Sequence, residues 1–430
     1  MKKIKLNKTS RRFLRIFGTL FSLWLLWSIY YFFTLTAFSD RKLDPITVEI
    51  NRTEYKTSIT EAKILLKGVT SRLDVPSFSI AIGHNGKVIW SVATGYQDLD
   101  LKIPATPKTQ YRIGSTSKSV TATGVARAID KGFISLDAII GDTISNWTKK
   151  RWDFTMRQLL SHTAGIGNYE DFGMKSAKYT LCNCYQFNSA SEGLKVFDSY
   201  KMLYEPGTSF KYSTFDVNLA SVVLEQAVHQ PFLEYMNQYV FQPLNMQNTY
   251  ADHTKPKTEH FATFYDIDNG YYREYRTIGI KHDVNLSYKW AGGGFISTPT
   301  DMVKMGNAYL NDSTFINRST IKEFWMPIKL ISGEINEQEY AVGWRSYLNL
   351  NDEHLLNGST IWMVNHGGVS KGSMNFLVLF PNYNLVIDAS INARARTFGE
   401  FANEVKKIAN VFIKHIQKEE FSIYNDMKSL

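Results

Sequence analysis

The run from Ile16 to Ser39, IFGTLFSLWLLWSIYYFFTLTAFS, is 24 residues without a charge, and it limits the rest of the chain more than any other feature. About 20 apolar residues cross the hydrocarbon core of a bilayer as one helix, so this run is long enough to span. A buried core helix of that length would carry a polar face, and none is visible. Lys2, Lys3, Lys5, Lys8, Arg11, Arg12 and Arg15 precede it with no acid among them. A basic flank is retained on the cytoplasmic side, which puts the N-terminus in the cytoplasm and the remainder outside, in the periplasm of a Gram-negative source. A cleaved secretory signal is the competing reading, but its apolar region runs about 7 to 15 residues and ends in a small-residue site. Here the end reads Leu35-Thr36-Ala37-Phe38-Ser39. Ser10-Arg11-Arg12-Phe13-Leu14 resembles a twin-arginine signal without its spacer residue.

The chain of 430 residues has a formal charge of +9. Seven of those charges lie in the first fifteen residues, which leaves +2 for the other 415, so the body of the protein is nearly neutral and carries no overall pull toward nucleic acid. A hydrophobic fraction of 44% and a charged fraction of 21% are those of a globular protein. No basic patch interleaved with aromatics, no phosphate-binding glycine loop, no HExxH and no paired CxxC occurs; neither nucleic acid nor nucleotide is an expected partner, and no metal or organic cofactor is expected. Cys182 and Cys184 are one residue apart, a spacing that fits neither a metal site nor an ordinary disulfide framework. The chain divides into a basic flank (1–15), a membrane-spanning anchor (16–39), a polar linker (40–57), one folded domain (58–416) and a polar tail (417–430).

Within the domain, Ser58-Ile59-Thr60-Glu61 resembles a capping box opening a helix to about Leu73. Residues 77–83 and 87–93 alternate around Asn85-Gly86, the dipeptide of a tight hairpin. A helix is expected from Thr116 to about Lys131, ending at Gly132. Helical and loop segments follow to about 335, including 156–160, 217–228 and 300–310. Strand patterns return at 339–348, 361–364, 374–380 and 385–391, and a last amphipathic helix spans about 399–416 with Phe401, Val405, Ile408 and Phe412 on one stripe. Strands at both ends of the domain and helices between them predict an α+β fold: one antiparallel sheet flanked by helices, with a mostly helical inserted region.

Three segments carry chemistry. Ser115-Thr116-Ser117-Lys118 opens the helix after Gly114. A serine there gains from the helix N-terminus, and a lysine three residues on shares its face; burial would lower that lysine's pKa and let it exchange a proton with the hydroxyl. A plain helix cap is the alternative, and Ser39-x-x-Lys42 and Ser319-x-x-Lys322 match the same spacing in less suitable places. The turn Pro206-Gly207-Thr208-Ser209-Phe210-Lys211-Tyr212-Ser213-Thr214 leads into a helix and can present Tyr212 as a general base beside a lysine, or simply pack it. In Asn365-His366-Gly367-Gly368-Val369-Ser370, paired glycines allow a close approach of backbone or ligand and a backbone N–H for an oxyanion, or mark only a bulge. His162, in a Ser-His-Thr-Ala-Gly turn, is expected to be structural, Gly292 to Gly294 a tight backbone approach, and Asp216 and Asn218 solvated helix positions.

In this order the three segments resemble the serine β-lactamase and penicillin-binding-protein superfamily over about residues 58 to 416. Leu159-Leu-Ser-His-Thr-Ala-Gly165, Pro243-Leu-Asn-Met246 and Lys289-Trp-Ala-Gly-Gly-Gly-Phe-Ile-Ser-Thr298 add to the likeness. The S-D-N and K-T-G strings of class A enzymes are absent. The pattern is most similar to the class C-like branch, and within it to mitochondrial serine β-lactamase-like proteins, in its Tyr-Ser-Thr triplet, its Tyr288-to-Gly294 segment and a His-x-Gly in place of K-T-G. The resemblance implies an active-site-serine hydrolase of peptidase or esterase type, working through an acyl-enzyme on a peptide, peptidoglycan-like or ester substrate. It implies Ser115 as nucleophile, Lys118 as its proton partner and Tyr212 as general base or proton shuttle. His366 stands at the K-T-G lysine position, and the N–H groups of Ser115 and Val369 bind the oxyanion beside Gly367, Gly368 and Thr214. Thr214 replaces the usual asparagine, and His366 removes a permanent cation for a penicillin carboxylate, which points toward peptides or esters with β-lactams as weak substrates. A sensor or scaffold that keeps the fold without turnover is the alternative function.

Overall fold

The computed structural model describes residues 8–33, 36–37, 44–140, 144–180, 185–268, 271–275, 284–356 and 360–416. Cys182, Cys184 and the tail from residue 417 lie outside the described residues. Strands β1 (Ile46–Asn51), β2 (Ser77–His84), β3 (Lys87–Asp98), β4 (Arg345–Leu350), β5 (Ile361–Ser370), β6 (Ser373–Phe380) and β7 (Leu385–Ile391) form one sheet in the order β4-β5-β6-β7-β2-β3-β1, with Ile103–Pro104 pairing β3 as its eighth strand. Each pairing on this path is antiparallel. The register from Leu385↔His84 to Ile391↔Phe78 joins the two ends of the domain at the centre of the sheet. Asn85 and Gly86, at φ 48° and 74°, supply the two positive-φ positions that a tight hairpin turn between twisted strands requires.

Because side chains alternate along a strand, the sheet feeds two cores. Ala81, Leu377, Leu379 and Val386 face a core shared with α4 (Ser117–Asp130), α5 (Thr214–Val228) and α6 (Pro299–Asn311). Ile80, Ile82, Phe376, Val378 and Ile387 face a second core under α2 (Lys56–Leu66), α3 (Val69–Leu73) and α7 (Phe398–His415). Phe401, Val405, Ile408 and Phe412 of α7 are all buried, with Phe401 edge-on to Phe78 and Phe412 against Trp90. Each such side chain contributes on the order of 2 kcal/mol of burial.

Three local features depart from the sequence expectation. The helix after the linker starts at Lys56 behind a 3-10 turn, and Ser58 is buried inside it rather than capping it; the face that buries Ile59, Ala62 and Leu66 sets the helix, and left-handed Gly68 (φ 72°) separates it from α3. β4 begins at Arg345 rather than Glu339, because Glu339 and Gly343 take φ of 45° and 76° and bend the chain first. β5 continues through its two glycines to Ser370. Ahead of the domain, α1 (Lys8–Phe33) begins within the basic flank and is long and apolar enough, by length and composition, to cross a membrane. Thr36–Ala37 then pairs antiparallel with Tyr271–Tyr272.

Candidate active site

Helix α4 runs through the protein with most of its circumference buried, although its sequence, SKSVTATGVARAID, is rich in hydroxyls. Each hydroxyl has a partner: Ser117 Oγ accepts from the Phe295 N–H (3.1 Å), Ser119 Oγ donates to Gly343 O (2.7 Å), and Thr121 Oγ1 donates to Ala291 O (2.9 Å). Buried polar groups with satisfied partners fix orientation, so the helix is held rigidly and the turn at its start, Gly114–Thr116, is held with it. Ser115 stays partly exposed there while Lys118 is fully buried.

The Lys118 ammonium donates to Gly292 O at 2.6 Å and to Ser115 Oγ at 3.2 Å, with Thr214 Oγ1 at 3.5 Å. Among the described residues no carboxylate lies within ion-pair distance of it, and Asp216 acts on it only from farther off. Burial, followed by the positive Arg345, brings its pKa down to about 7, as expected of a desolvated lysine. Tyr212, half-buried, lies with its ring 4.8 Å from the Lys118 nitrogen, and its hydroxyl shares a hydrogen bond with Ser115. Burial raises the phenol's pKa, which Arg345 and the Ser115 contact only partly offset. Thus the lysine, rather than the phenol, is the group that gives up its proton near neutral pH.

Strand β5 closes the other side. Its pairing with β4 runs only as far as Arg345↔Asn365, and beyond that point its flank meets the serine turn. A Cβ on Gly368 would lie 1.9 Å from Ile113 O, and one on Gly114, itself at φ 52°, would lie 2.7 to 2.8 Å from the Val369 backbone. These two glycines therefore let the Val369 backbone lie beside Ser115. Gly367 faces the opposite side of the sheet, where a Cβ would strike the Phe398 ring at 2.3 Å; it belongs to the packing of α7 and does not line the cleft. Gly368→Ala should force the serine turn to shift, destabilising the domain by about 1 to 3 kcal/mol and cutting turnover at least tenfold. A thermal melt with a parallel rate assay checks this, and a near-wild-type rate would show that the close approach is dispensable.

His366 is fully buried. Its Nδ1–H donates to Gly367 O (2.8 Å), which leaves Nε2 to accept from the Tyr340 hydroxyl (2.8 Å). Burial and the cations Arg345 and Lys118 hold its pKa well below the usual histidine range, so it is a neutral ring and no substitute for a lysine cation. Thr214 stands at the first turn of α5 with its N–H on Asn168 Oδ1 (3.2 Å) and its carbonyl against Gly292.

Four groups to which sequence reasoning gives no part in the site complete the surroundings. Asp216 and Asn218, expected on a solvated face, are buried. Asn218 accepts from the Gly292 N–H (3.0 Å) and donates to Tyr288 O (3.1 Å), fixing the loop whose carbonyl holds Lys118. Asp216 lies 2.9 Å from His162 Nδ1, which also accepts from the Ser213 N–H (3.3 Å). Burial drives the carboxyl well up, with Lys118 pulling the other way, and the imidazole well down, so the site disfavours a charged pair. The His162 ring packs 4.4 Å from that of Tyr212. Arg345 lies over the rings of Tyr212 and Tyr340 (5.5 and 5.2 Å). Lys289 lies along Gly293, near Tyr169 and Tyr288. Helical spacing was the available signal for Asn218, four residues after Thr214 and on the same face.

A family model described as Beta-lactamase matches residues 65–409. The chain belongs to the Beta-lactamase family. Among curated relatives of this family member, the human protein "Serine beta-lactamase-like protein LACTB, mitochondrial" is 25% identical over 367 residues, covering 67% of this chain and 66% of the relative. "Protein flp" of Staphylococcus aureus (strain MW2) is 26% identical over 326 residues, covering 74% of this chain and 60% of its own length. The chain thus spans about two thirds of the curated relatives it matches. Among solved structures, "EstCE1, a hydrolase with promiscuous acyltransferase activity" superposes with a TM-score of 0.68 at 18% identity, covering 83% of this chain and 99% of the other. The D-amino acid amidase from Ochrobactrum anthropi SV3 complexed with L-phenylalanine amide gives 0.68 at 19%, again 83% and 99%. At these identities the structures speak to the shared fold, an antiparallel sheet with flanking helices, which is the architecture expected from the sequence.

Proposed function

We propose that this Beta-lactamase family member is a membrane-anchored serine hydrolase that forms an acyl-enzyme on amide or ester substrates, with α1 as its anchor and the folded domain outside the cytoplasm. The observation that carries the reading is Lys118: a buried amine with no carboxylate in ion-pair contact among the described residues, 3.2 Å from a partly exposed serine hydroxyl and at a pKa of about 7. As the free amine, Lys118 still donates to Gly292 O, and its lone pair is free for the Ser115 proton. Ser115 Oγ then attacks the substrate carbonyl, forming the C–O bond as the carbonyl π pair moves onto oxygen. The N–H groups of Ser115 and Val369 hold that oxyanion. Collapse breaks the bond to the leaving alcohol or amine, which takes a proton delivered from Lys118 through Tyr212. Water gives a proton to Lys118 along the same route as it adds to the ester; the acyl–Oγ bond then breaks and that proton passes to Ser115 Oγ, which releases the acid and free Ser115. Neutral His366 favours peptides and esters over penicillins, whose carboxylate needs a cation in that position.

The test is to incubate the full chain with a fluorophosphonate probe and, separately, with a panel of D-amino-acid peptides, p-nitrophenyl esters and nitrocefin. Covalent labelling together with multiple turnovers on an ester or amide is expected, with nitrocefin the slowest. Absence of labelling sinks the serine-hydrolase reading. Labelling without any turnover on the panel would favour a sensor.

A further inference from the structure

Where β5 passes Ser115, it divides the cleft in two. On one side of Val369 lie His366, Tyr340, Arg345 and the Tyr212 phenol, which must reach the leaving atom, so the leaving group belongs there. The acyl remainder must then extend the other way, along Ser370 and Lys371. Two guanidinium groups are fastened to the carbonyls of those two residues: Arg394 Nε donates to Ser370 O (3.0 Å) and Arg112 Nη1 to Lys371 O (3.1 Å). Across from them Lys289 lies along Gly293, where a Cβ would be 3.6 Å from its nitrogen, and near the faces of Tyr169 and Tyr288. Four cations from four separate segments meet at this end. The buried Arg112 is matched by Asp252 at 3.8 Å. Among the described residues, Lys289, Lys371 and Arg394 have no carboxylate within ion-pair distance.

We propose that this end of the cleft is an anion subsite that takes a carboxylate on the acyl half of the substrate, with Lys289 as its principal cation and Lys371 and Arg394 at its rim. The inference rests on the hydrolase reading for the direction of the substrate. Holding Lys289 here uncompensated is costly: burial first, then Lys118, Lys371, Arg394 and Arg112, lower its pKa to about 7. An arriving carboxylate reverses both effects, since it supplies the missing counter-charge and a hydrogen-bond acceptor for an ammonium that has neither. The side-chain bonds that fix this loop come from Asn218, at the Gly292 N–H and Tyr288 O, and not from the Lys289 ammonium, so holding the loop does not account for the charge.

The experiment compares the mono-4-nitrophenyl ester of adipic acid with 4-nitrophenyl hexanoate, two six-carbon acyl groups that differ in a terminal carboxylate, each corrected for spontaneous hydrolysis. Wild-type protein should prefer the adipate ester by about tenfold or more in kcat/KM, the scale of one desolvated charged hydrogen bond, and 0.5 M NaCl should reduce that preference. The ratio should fall toward one in Lys289→Met and recover in Lys289→Arg; Lys371→Ala, a change in the β5–β6 turn, should lower it two- to threefold and serves if the first variant fails to fold. A wild-type ratio near one, or a ratio that Lys289→Met leaves in place, overturns the proposal. If neither ester is turned over, the hydrolase reading has failed independently, and calorimetric titration of Ser115→Ala protein with adipate and with hexanoate decides. Adipate binding that weakens at least tenfold with Lys289→Met upholds the subsite; adipate that binds no better than hexanoate overturns it.

Discussion

Ser115→Ala is expected to lower ester and amide turnover by roughly 10⁶-fold, the scale seen when a serine nucleophile acting as one unit with its base is removed, and to abolish fluorophosphonate labelling. The size of the loss follows from the lack of a stand-in. Thr214 Oγ1 also lies near the Lys118 nitrogen, but Thr214 is buried and its carbonyl is pressed against Gly292, so it cannot advance on a substrate. Ser117 Oγ is occupied by the Phe295 N–H, and Thr116 Oγ1 is directed to His366 O (3.3 Å). The variant should fold normally, because the serine hydroxyl contributes no contact to either core. The measurements are kcat/KM on the best ester and the mass of the peptide bearing residue 115 after labelling. Activity within tenfold of wild type, or a label found elsewhere, would remove Ser115 from the mechanism.

Much of the site was legible because its three segments are each marked by local chemistry. Ser115 follows a glycine at the start of a helix, Tyr212 follows Pro206-Gly207, and His366 precedes paired glycines; such punctuation is set by backbone geometry and survives in a single sequence. What the sequence could not show is what those segments face. Lys118 reaches Gly292 across 174 residues, Asn218 reaches Tyr288 across 70, and His162 meets Asp216 across 54. A polar residue early in a helix reads as solvated until the partner that buries it is known, which is why Asp216 and Asn218 were misplaced. The same cause misplaced the start of α2: a capping box is a local signal, and burial of Ile59, Ala62 and Leu66 overrode it. Arg345 lies in no motif, and Lys289 opens one that gives its charge no role; among the described residues neither has an acid within ion-pair distance, a property only of the folded chain.

Lys118→Ala should reduce turnover by about 10²-fold or more, the usual contribution of a general base, and the pH dependence says why. Lys118 accepts the serine proton only as the free amine, so the active fraction grows as pH rises through its pKa of about 7. The kcat/KM of the wild-type protein should therefore increase about tenfold per unit at acid pH and level off above about pH 8. Tyr212, held above its ordinary value, stays protonated across that range and adds no second inflection there. Lys118→Arg should fail to restore activity, since a guanidinium does not release its proton. Stability provides an independent reading with a fixed sign. A lysine whose folded pKa is depressed binds fewer protons folded than unfolded between about pH 7 and its ordinary value of 10.5, so the folded state gains stability as pH rises through that window. Lys289 is lowered in the same way and gives the same slope. Lys118→Ala should remove part of this rise in the thermal midpoint while leaving a folded protein, which separates a lost base from a lost fold. A pH–rate profile that is flat between pH 5 and 8 in the wild type, or unchanged by the substitution, would assign the proton transfer to another group.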